Sequence, residues 1–391
     1  MIHLFMNALA ATAGGGLTYV RNLIPQIAAR NDVMATVLLD AGLRREFQTL
    51  SNIEFLEWEG PSRPALRFWL EQRMVRKLAL RSGAGVLLSA GNFAVWNSPL
   101  PQILLSRNSL YTSRDFDRDL RSRGETRLWL DNRLKAQFAK WSIHAADRVV
   151  APSQSFAEEL QRWTGVPISA IHHGFDRDTF LRDHSTLPDG VRRKLECTSG
   201  VLRLLFVSHY NYYRNFETLI RALPLIRRKL GPRPVRLFLT CKLVPGANPG
   251  AYRPERAAVL VRELNLSEVV VELDSVPYSL LHHVYRSADI YVTPAYAESF
   301  AHPLIEAMSS GLPVVASDLP VHREICGEAG VYFQHFSPEE LAQRILAVAG
   351  SPELARGLGQ AGMLRASAFS WKRHLDQILS LAREVSSESQ S

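Results

Sequence analysis

Two glutamates separated by seven residues, Glu298 and Glu306, lie in the stretch of the chain with the most to offer chemically, residues 293–333, TPAYAESFAHPLIEAMSSGLPVVASDLPVHREICGEAGVYF. An ionised carboxylate accepts hydrogen bonds on both oxygens, which suits neighbouring sugar hydroxyls. The residues around the pair spell a strand end, a loop and a helix. Pro303 fits the first helical position, where its missing N–H costs nothing. Gly311 followed by Pro313 makes a stop. The expected helix, Pro303–Ser310, carries Glu306 about one turn inside. Its first N–H groups lie at the positive end of the helix dipole, a ready place for a pyrophosphate. For an arbitrary pair of glutamates, two solvated surface acids is the simpler reading, so the surrounding sequence has to decide.

Short β-rich runs alternate with helical stretches through nearly the whole chain. Strands are expected at 2–7, 33–39, 86–89, 102–106, 148–151 and 168–172. A second series falls at 203–208, 235–240, 269–273, 290–293, 314–317 and 331–333. Many are continuous apolar runs, as in parallel strands buried on both faces. Helical patterns at 17–30, 216–229 and 338–349 fill gaps between them. The alternation predicts an α/β protein with two Rossmann-like, doubly wound domains. The polar stretch RDHSTLPDGVRRKLECTSG at 182–200 breaks the pattern and reads as the connection. The expected division is an N-terminal domain over 1–182, a linker over 183–202 and a C-terminal domain over 203–370. Ligands are expected at the carboxyl ends of the strands, in a cleft between the domains.

The 391 residues are 46% hydrophobic and 21% charged. That suits two globular domains and excludes a disordered chain, a collagen and a disulfide scaffold. Cys197, Cys241 and Cys326 are too widely spaced for a metal cluster and read as core thiols in a reducing compartment. No apolar run approaches the ~18 residues of a membrane span. Met1–Leu9 reads as a first strand rather than a secretion signal, which points to the cytoplasm. The Ser-rich tail at 386–391 is expected to fray. The net charge of +8 favours anionic partners. It is unevenly spread: residues 61–148 hold 16 Lys and Arg against seven acids, and residues 203–242 hold nine against Glu217 alone.

The run ESFAHPLIEAMSSGLPVVASDLPVHREI at 298–325 resembles the donor-binding signature of retaining, nucleotide-sugar-dependent glycosyltransferases of family 4, also called group 1. The resemblance implies the GT-B fold, two facing Rossmann-like domains, and catalysis without a metal or other cofactor. It implies that Glu298 contacts the transferred sugar and Glu306 the ribose hydroxyls. The turn Ser299, Phe300, Ala301, His302, Pro303 and Leu304 would meet sugar and phosphate. Ser299 and Ala301 stand where the family commonly has glycine. LLFVSHYNYYRNFETLIRAL at 204–223 is similar to the first strand, loop and helix of the family's C-terminal domain. There Arg214 and Asn215 stand where a Lys usually serves the donor phosphates, and Ser208 and His209 stand where Gly-Arg is usual. Arg214 keeps its charge at any working pH and can clamp a phosphate bidentately. By resemblance, Arg214 and Glu298 carry the chemistry together with His209. LHHVYRSADIYVTPAYAES, HAADRVVAPSQSFAEEL and IHHGFDRDTF extend the likeness, with Asp176 expected to order a loop. FSWKRHLDQILSL resembles a terminal helix that returns to the N-terminal domain, giving that domain about 371–391 as well.

The first half is less specific. Gly14, Gly15 and Gly16, placed after the first strand, match the family's Gly-rich turn, with Gly15 and Gly16 expected beside the donor. Asn92, and Arg107 with Asn108, end strands on the side where the acceptor is expected. No histidine stands at the second of these positions, although relatives often carry one. The segment Pro64–Gly83, PALRFWLEQRMVRKLALRSG, mixes Leu66, Trp69, Leu70 and Leu78 with Arg63, Arg67, Arg73, Arg76, Lys77 and Arg81. A core helix with a solvated basic face is the simpler account of it. Docking on an anionic membrane that carries a lipid-linked acceptor is the functional one. Nothing marks a nucleic-acid partner beyond charge.

The chain therefore reads as a metal-independent hexosyltransferase. It would move a sugar from a nucleotide diphosphate sugar to a glycan or lipid-linked saccharide, in polysaccharide synthesis, as a peripheral protein at the inner face of the membrane. A different GT-B enzyme, such as a nucleotide-sugar epimerase, and a non-catalytic sugar- or partner-binding relative are the alternatives.

Overall fold

The computed structural model describes residues 1–11, 14–60, 64–196 and 200–388. Arg63, Cys197 and residues 389–391 lie outside the described residues. The chain divides into two compact units. Unit 1 holds Met1–Thr112, Leu130–Gly174 and Ser370–Ser391; unit 2 holds Ser113–Trp129 and Phe175–Phe369.

Unit 1 is built on seven strands: β1 (Ile2–Asn7), β2 (Val33–Asp40), β3 (Ile53–Trp58), β4 (Val86–Ser89), β5 (Gln102–Leu105), β6 (Arg148–Ala151) and β7 (Ser169–Ala170). They form one sheet in the order β3-β2-β1-β4-β5-β6-β7, every pairing parallel. The central strands β4 and β5 are buried along their whole length; they are apolar except for Ser89 and Gln102, whose side chains bond each other at 2.9 Å. Strand β3, IEFLEW, is absent from the expected set. It lies at the sheet edge with Glu54 and Glu57 exposed, so it shows none of the continuous hydrophobicity that marked the others. The helix Gly14–Ala28 buries Tyr19, Val20, Leu23, Ile24 and Ile27. The helix Trp371–Glu388 adds Leu375, Ile378, Leu379 and Ala382 to that same core. It includes Ser386, Ser387 and Glu388, which were expected to fray.

Unit 2 has six strands: β8 (Leu202–Phe206), β9 (Val235–Leu239), β10 (Val270–Glu272), β11 (Ile290–Thr293), β12 (Val314–Ser317) and β13 (Gly330–Phe333). They form a second all-parallel sheet in the order β10-β9-β8-β11-β12-β13. Two parts of this unit depart from the sequence-based division. The stretch expected as linker contains the helix Asp189–Leu195, whose Val191 and Leu195 are buried in the unit 2 core. Its three cations, on the exposed side of a short helix, masked that apolar contribution.

The second departure is Ser113–Trp129, which comes from the first half of the chain yet belongs to unit 2. A buried polar cluster explains it. Arg123 donates to Asp119 and Glu217 at 2.8 and 2.9 Å and lies 4.2 Å from the centre of the Tyr212 ring. Tyr296 donates to Asp119 and Tyr212 to Glu125, both at 2.7 Å. Each buried charge is thus paired and hydrogen-bonded, the condition for burying it at all. No local sequence pattern reveals partners that lie this far along the chain.

Candidate active site

The loop after β11 leads into the helix His302–Ser309, one residue earlier than expected at each end. Pro303 sits inside the first turn, where its missing N–H is still not needed. Ala301 caps this helix in the left-handed conformation, φ +65° and ψ +63°. An L-residue with a Cβ pays about 1–2 kcal/mol there. Ala301→Gly relieves that strain while loosening the unfolded chain by roughly 0.4–1 kcal/mol. Its expected result is a net gain of about 0.5–1 kcal/mol in denaturant unfolding; a lower midpoint for the glycine variant would show that Ala301 is unstrained.

Around this helix start the structure brings Arg214 and Glu298 together. The Arg214 guanidinium donates from Nη1 to Oε2 of Glu298, and Oε1 of Glu298 accepts the Ser299 N–H at 3.2 Å. Both side chains are largely buried. Burial is the largest single influence and pushes the Glu298 carboxyl up, but the Arg214 charge and hydrogen bond, together with the Ser299 N–H and the nearby His322, hold the group below its ordinary range. Burial likewise opposes the Arg214 charge, and Glu298 more than restores it. Nε of Arg214 is buried without a hydrogen-bond partner. His209 is exposed, yet partial burial of its ring and the nearby Arg214 lower its pKa, so it is neutral at pH 7.

The short 3-10 turn Tyr212–Arg214 that presents Arg214 is held rigidly. Asn215 adopts φ +56°, tolerated by asparagine. It donates to Pro294 O at 3.0 Å and His335 O at 2.6 Å, and accepts from Thr218 at 2.9 Å. Its side chain is therefore occupied in tying this loop to the exit of β11. Ser208 is also internally engaged: its N–H meets Thr240 Oγ1 at 3.0 Å and its hydroxyl donates to His209 O at 2.7 Å.

Glu306 occupies a different environment. It is buried, and Oε2 accepts the Tyr285 hydroxyl at 2.8 Å. Burial raises its carboxyl to about 7, against the hydroxyls of Tyr285 and Tyr278 that bond the charged form. Phe300 and Leu304 are buried core residues, with Phe300 stacked edge-on to His302 and Phe369. They can offer a ligand backbone, not side chain. Both carboxylates and Arg214 act electrostatically on the buried Tyr291 phenol of β11, so the two groups share one neighbourhood.

Two contributors went unnoticed in the sequence. Tyr285, inside the quoted LHHVYR, positions Glu306. His322, inside the quoted VHREI, is buried close enough to Glu298 and Arg214 for their charges to act on it. Its Nδ1 lies 2.9 Å from Ser317 O, which assigns the proton to Nδ1, and its Nε2 has no hydrogen-bond partner. Burial lowers it to about 4, so it stays neutral. A histidine in the first turn of a helix that follows a strand end was the available signal.

In unit 1, Gly14–Gly16 form the first turn of the helix itself, not a turn ahead of Leu17. A Cβ on Gly16 would lie 3.1 Å from Ala11 Cα, which accounts for that glycine by packing. Arg107 is brought to this turn: Nη1 donates to Gly15 O at 3.3 Å, Nη2 to Ala90 O, and its N–H to Asn92 Oδ1 at 2.7 Å. Asn108 instead caps the turn Ser109–Tyr111 through Leu110 N at 3.1 Å. Among the described residues no group of three or more His, Cys, Asp or Glu is placed to hold a metal ion. No helix of the described residues is long and apolar enough to cross a membrane.

Comparison with known proteins bears on the fold and the family. The family model for glycosyl transferases group 1 matches residues 191–365, and that for glycosyltransferase family 4 matches residues 13–179. D-inositol 3-phosphate glycosyltransferases from Nocardia farcinica and Thermobifida fusca are each 28% identical, over 61% and 62% of this chain and 53% and 56% of theirs. The chain thus spans about half the length of these curated relatives. Sucrose-phosphate synthase from Thermosynechococcus elongatus superposes with a TM-score of 0.78 at 21% identity, covering 98% of this chain and 99% of that one. HepE from Anabaena, solved in complex with UDP-glucose, gives 0.71 at 16% identity over 98% and 100%. Two parallel Rossmann-like sheets, the GT-B fold of these neighbours and the two family matches place the chain in the group 1, or family 4, glycosyltransferases.

Proposed function

We propose that the chain transfers a hexose, with retention of configuration and without a metal, from a nucleoside diphosphate sugar to a hydroxyl of a glycan or lipid-linked saccharide. The observation that carries this reading is the buried Arg214–Glu298 pair at the start of the helix His302–Ser309, with Glu306 one turn inside. The complexes of HepE with UDP and UDP-glucose support the donor class.

In this reading the diphosphate lies against the helix N-terminus and Arg214. The bond from the anomeric carbon to the phosphate oxygen breaks, and the electron pair leaves with the diphosphate. The acceptor oxygen bonds to the same face of that carbon, and its proton passes to the departing phosphate oxygen. Arg214 stabilises the charge that develops. Glu298 holds Arg214 and meets the sugar, while Glu306 accepts from the ribose hydroxyls. His209 offers a hydrogen bond to phosphate where many relatives place a second cation. The unit 1 group of Gly15, Asn92 and Arg107 serves the acceptor. The chemistry is mainly positioning and electrostatics.

The test is incubation with UDP-, GDP- and ADP-hexoses, following nucleotide release and the anomeric configuration of the product by NMR. Retained configuration and turnover unaffected by EDTA are expected. An inverted product, or activity abolished by EDTA and restored by a divalent cation, overturns the reading.

A further inference from the structure

Unit 1 exposes apolar side chains in an ordered way. The helix Pro64–Ser82 turns Val75 and Ala79 into the core and is pinned there by Gln72, which bonds Ala94 O at 3.0 Å and Trp96 N at 2.8 Å. Its other face carries Leu66, Trp69, Leu70 and Leu80, with Trp69 58% and Leu80 64% exposed. The helix Thr126–Ala145 repeats the arrangement, exposing Leu130, Leu134 and Trp141 at helical spacing. The two helices meet through rings: Phe68 lies 5.7 Å from Phe138, and Trp96 bridges Trp69 and Trp141 at 6.0 and 6.4 Å. The exposed residues therefore belong to one aromatic-centred wall. Monomeric soluble proteins rarely leave such patches without a use.

The charges beside this wall are mostly positive; an exposed acid on the second helix, Asp131, is paired with Lys135 at 2.7 Å. Arg73, Arg76, Lys77 and Arg81 are exposed on the first helix, and Arg133 on the second. Exposed tryptophans and leucines edged by arginine and lysine match the interface of an anionic bilayer, where rings settle at headgroup depth and cations meet lipid phosphates. A second copy of the chain fits poorly. A two-fold pairing of this face would press like charges together.

We propose that this face of unit 1 docks on an anionic lipid surface. The proposal deepens the proposed function, on which it rests for the acceptor alone: it gives a lipid-linked acceptor its carrier.

The test is flotation of the full chain with vesicles of phosphatidylcholine alone and of phosphatidylcholine mixed with phosphatidylglycerol. Binding to the anionic vesicles is expected to exceed that to neutral ones by about tenfold or more, and to weaken with salt. Arg73→Glu/Arg76→Glu should abolish the preference, and Trp69→Ser/Leu134→Ser should lower binding at every salt concentration. Both variants should bind UDP, GDP or ADP as the parent chain does, which shows they are folded. Equal binding to both vesicles, no binding, or unchanged binding by the charge-reversed variant overturns the proposal. So does a dimer seen by light scattering that Leu134→Ser abolishes. Vesicle binding without nucleotide binding would instead count against the donor site and leave the lipid surface standing.

Discussion

Replacing Arg214 by alanine is expected to lower turnover by a factor on the order of 10²–10³, the usual cost of losing one preorganised group at a developing charge. The same change should also weaken the fold. Glu298 is 12% exposed and Arg214 is its ion-pair partner. Removing one member of such a pair leaves the other charge buried alone, which costs about 3–5 kcal/mol. Loss of activity by itself would therefore be ambiguous. The double variant Arg214→Met/Glu298→Leu separates the two effects, because replacing both charges by apolar groups recovers most of the lost stability. It should unfold near the parent chain's midpoint and remain inactive. A double variant with parental turnover would sink the catalytic assignment; one as unstable as the single variant would sink the ion-pair account.

The second large effect concerns Glu306 and pH. Its carboxyl is raised by burial to about 7 in the folded chain, from an ordinary 4.5. Between these values the folded state holds a proton that the unfolded state has released. Stability from this group is therefore intact below pH 4.5, falls as pH rises, and is fully lost above about 7. The difference corresponds to about 3 kcal/mol at most. Glu306→Gln removes the titration while keeping the shape. The unliganded glutamine variant is expected to be more stable than the parent at pH 8, by as much as about 3 kcal/mol, and equal to it near pH 4.5. Urea unfolding at the two pH values measures this. A difference independent of pH would mean that Glu306 is not the titrating group. At pH 8 the same variant should bind a nucleoside diphosphate more weakly, since a neutral amide is a poorer acceptor for ribose hydroxyls than a carboxylate.

This trade of stability for an ionised acceptor was not visible in the sequence. Glu298 and Glu306 stood out by type and spacing, as did the helix between them, because proline and glycine mark helix ends through local chemistry. The two glutamates differ because of residues far along the chain: Arg214 helps draw one down, while a dry surround holds the other high against the hydroxyls of Tyr285 and Tyr278. The two parallel sheets were legible for a related reason. Strands buried on both faces need long apolar runs, and β4, β5, β11 and β12 have them. Edge strand β3, with Glu54 and Glu57 exposed, lacks such a run and escaped notice. The assignment of Ser113–Trp129 to unit 2 rests on Arg123 finding Glu217, a contact that no local pattern encodes. Asn215 and Asn108 drew attention as binding residues by position, yet both side chains hold their own loops. Asparagine suits left-handed backbone and short caps as well as it suits ligands.

The donor site itself is tested most directly by calorimetric titration of UDP, GDP and ADP into the parent chain, Arg214→Met/Glu298→Leu and Glu306→Gln at pH 8. One nucleotide should bind the parent chain at a single site, with its affinity reduced about tenfold or more in each variant. No binding by any of the three nucleotides, or binding that both variants retain undiminished, would contradict a donor site at Arg214, Glu298 and Glu306.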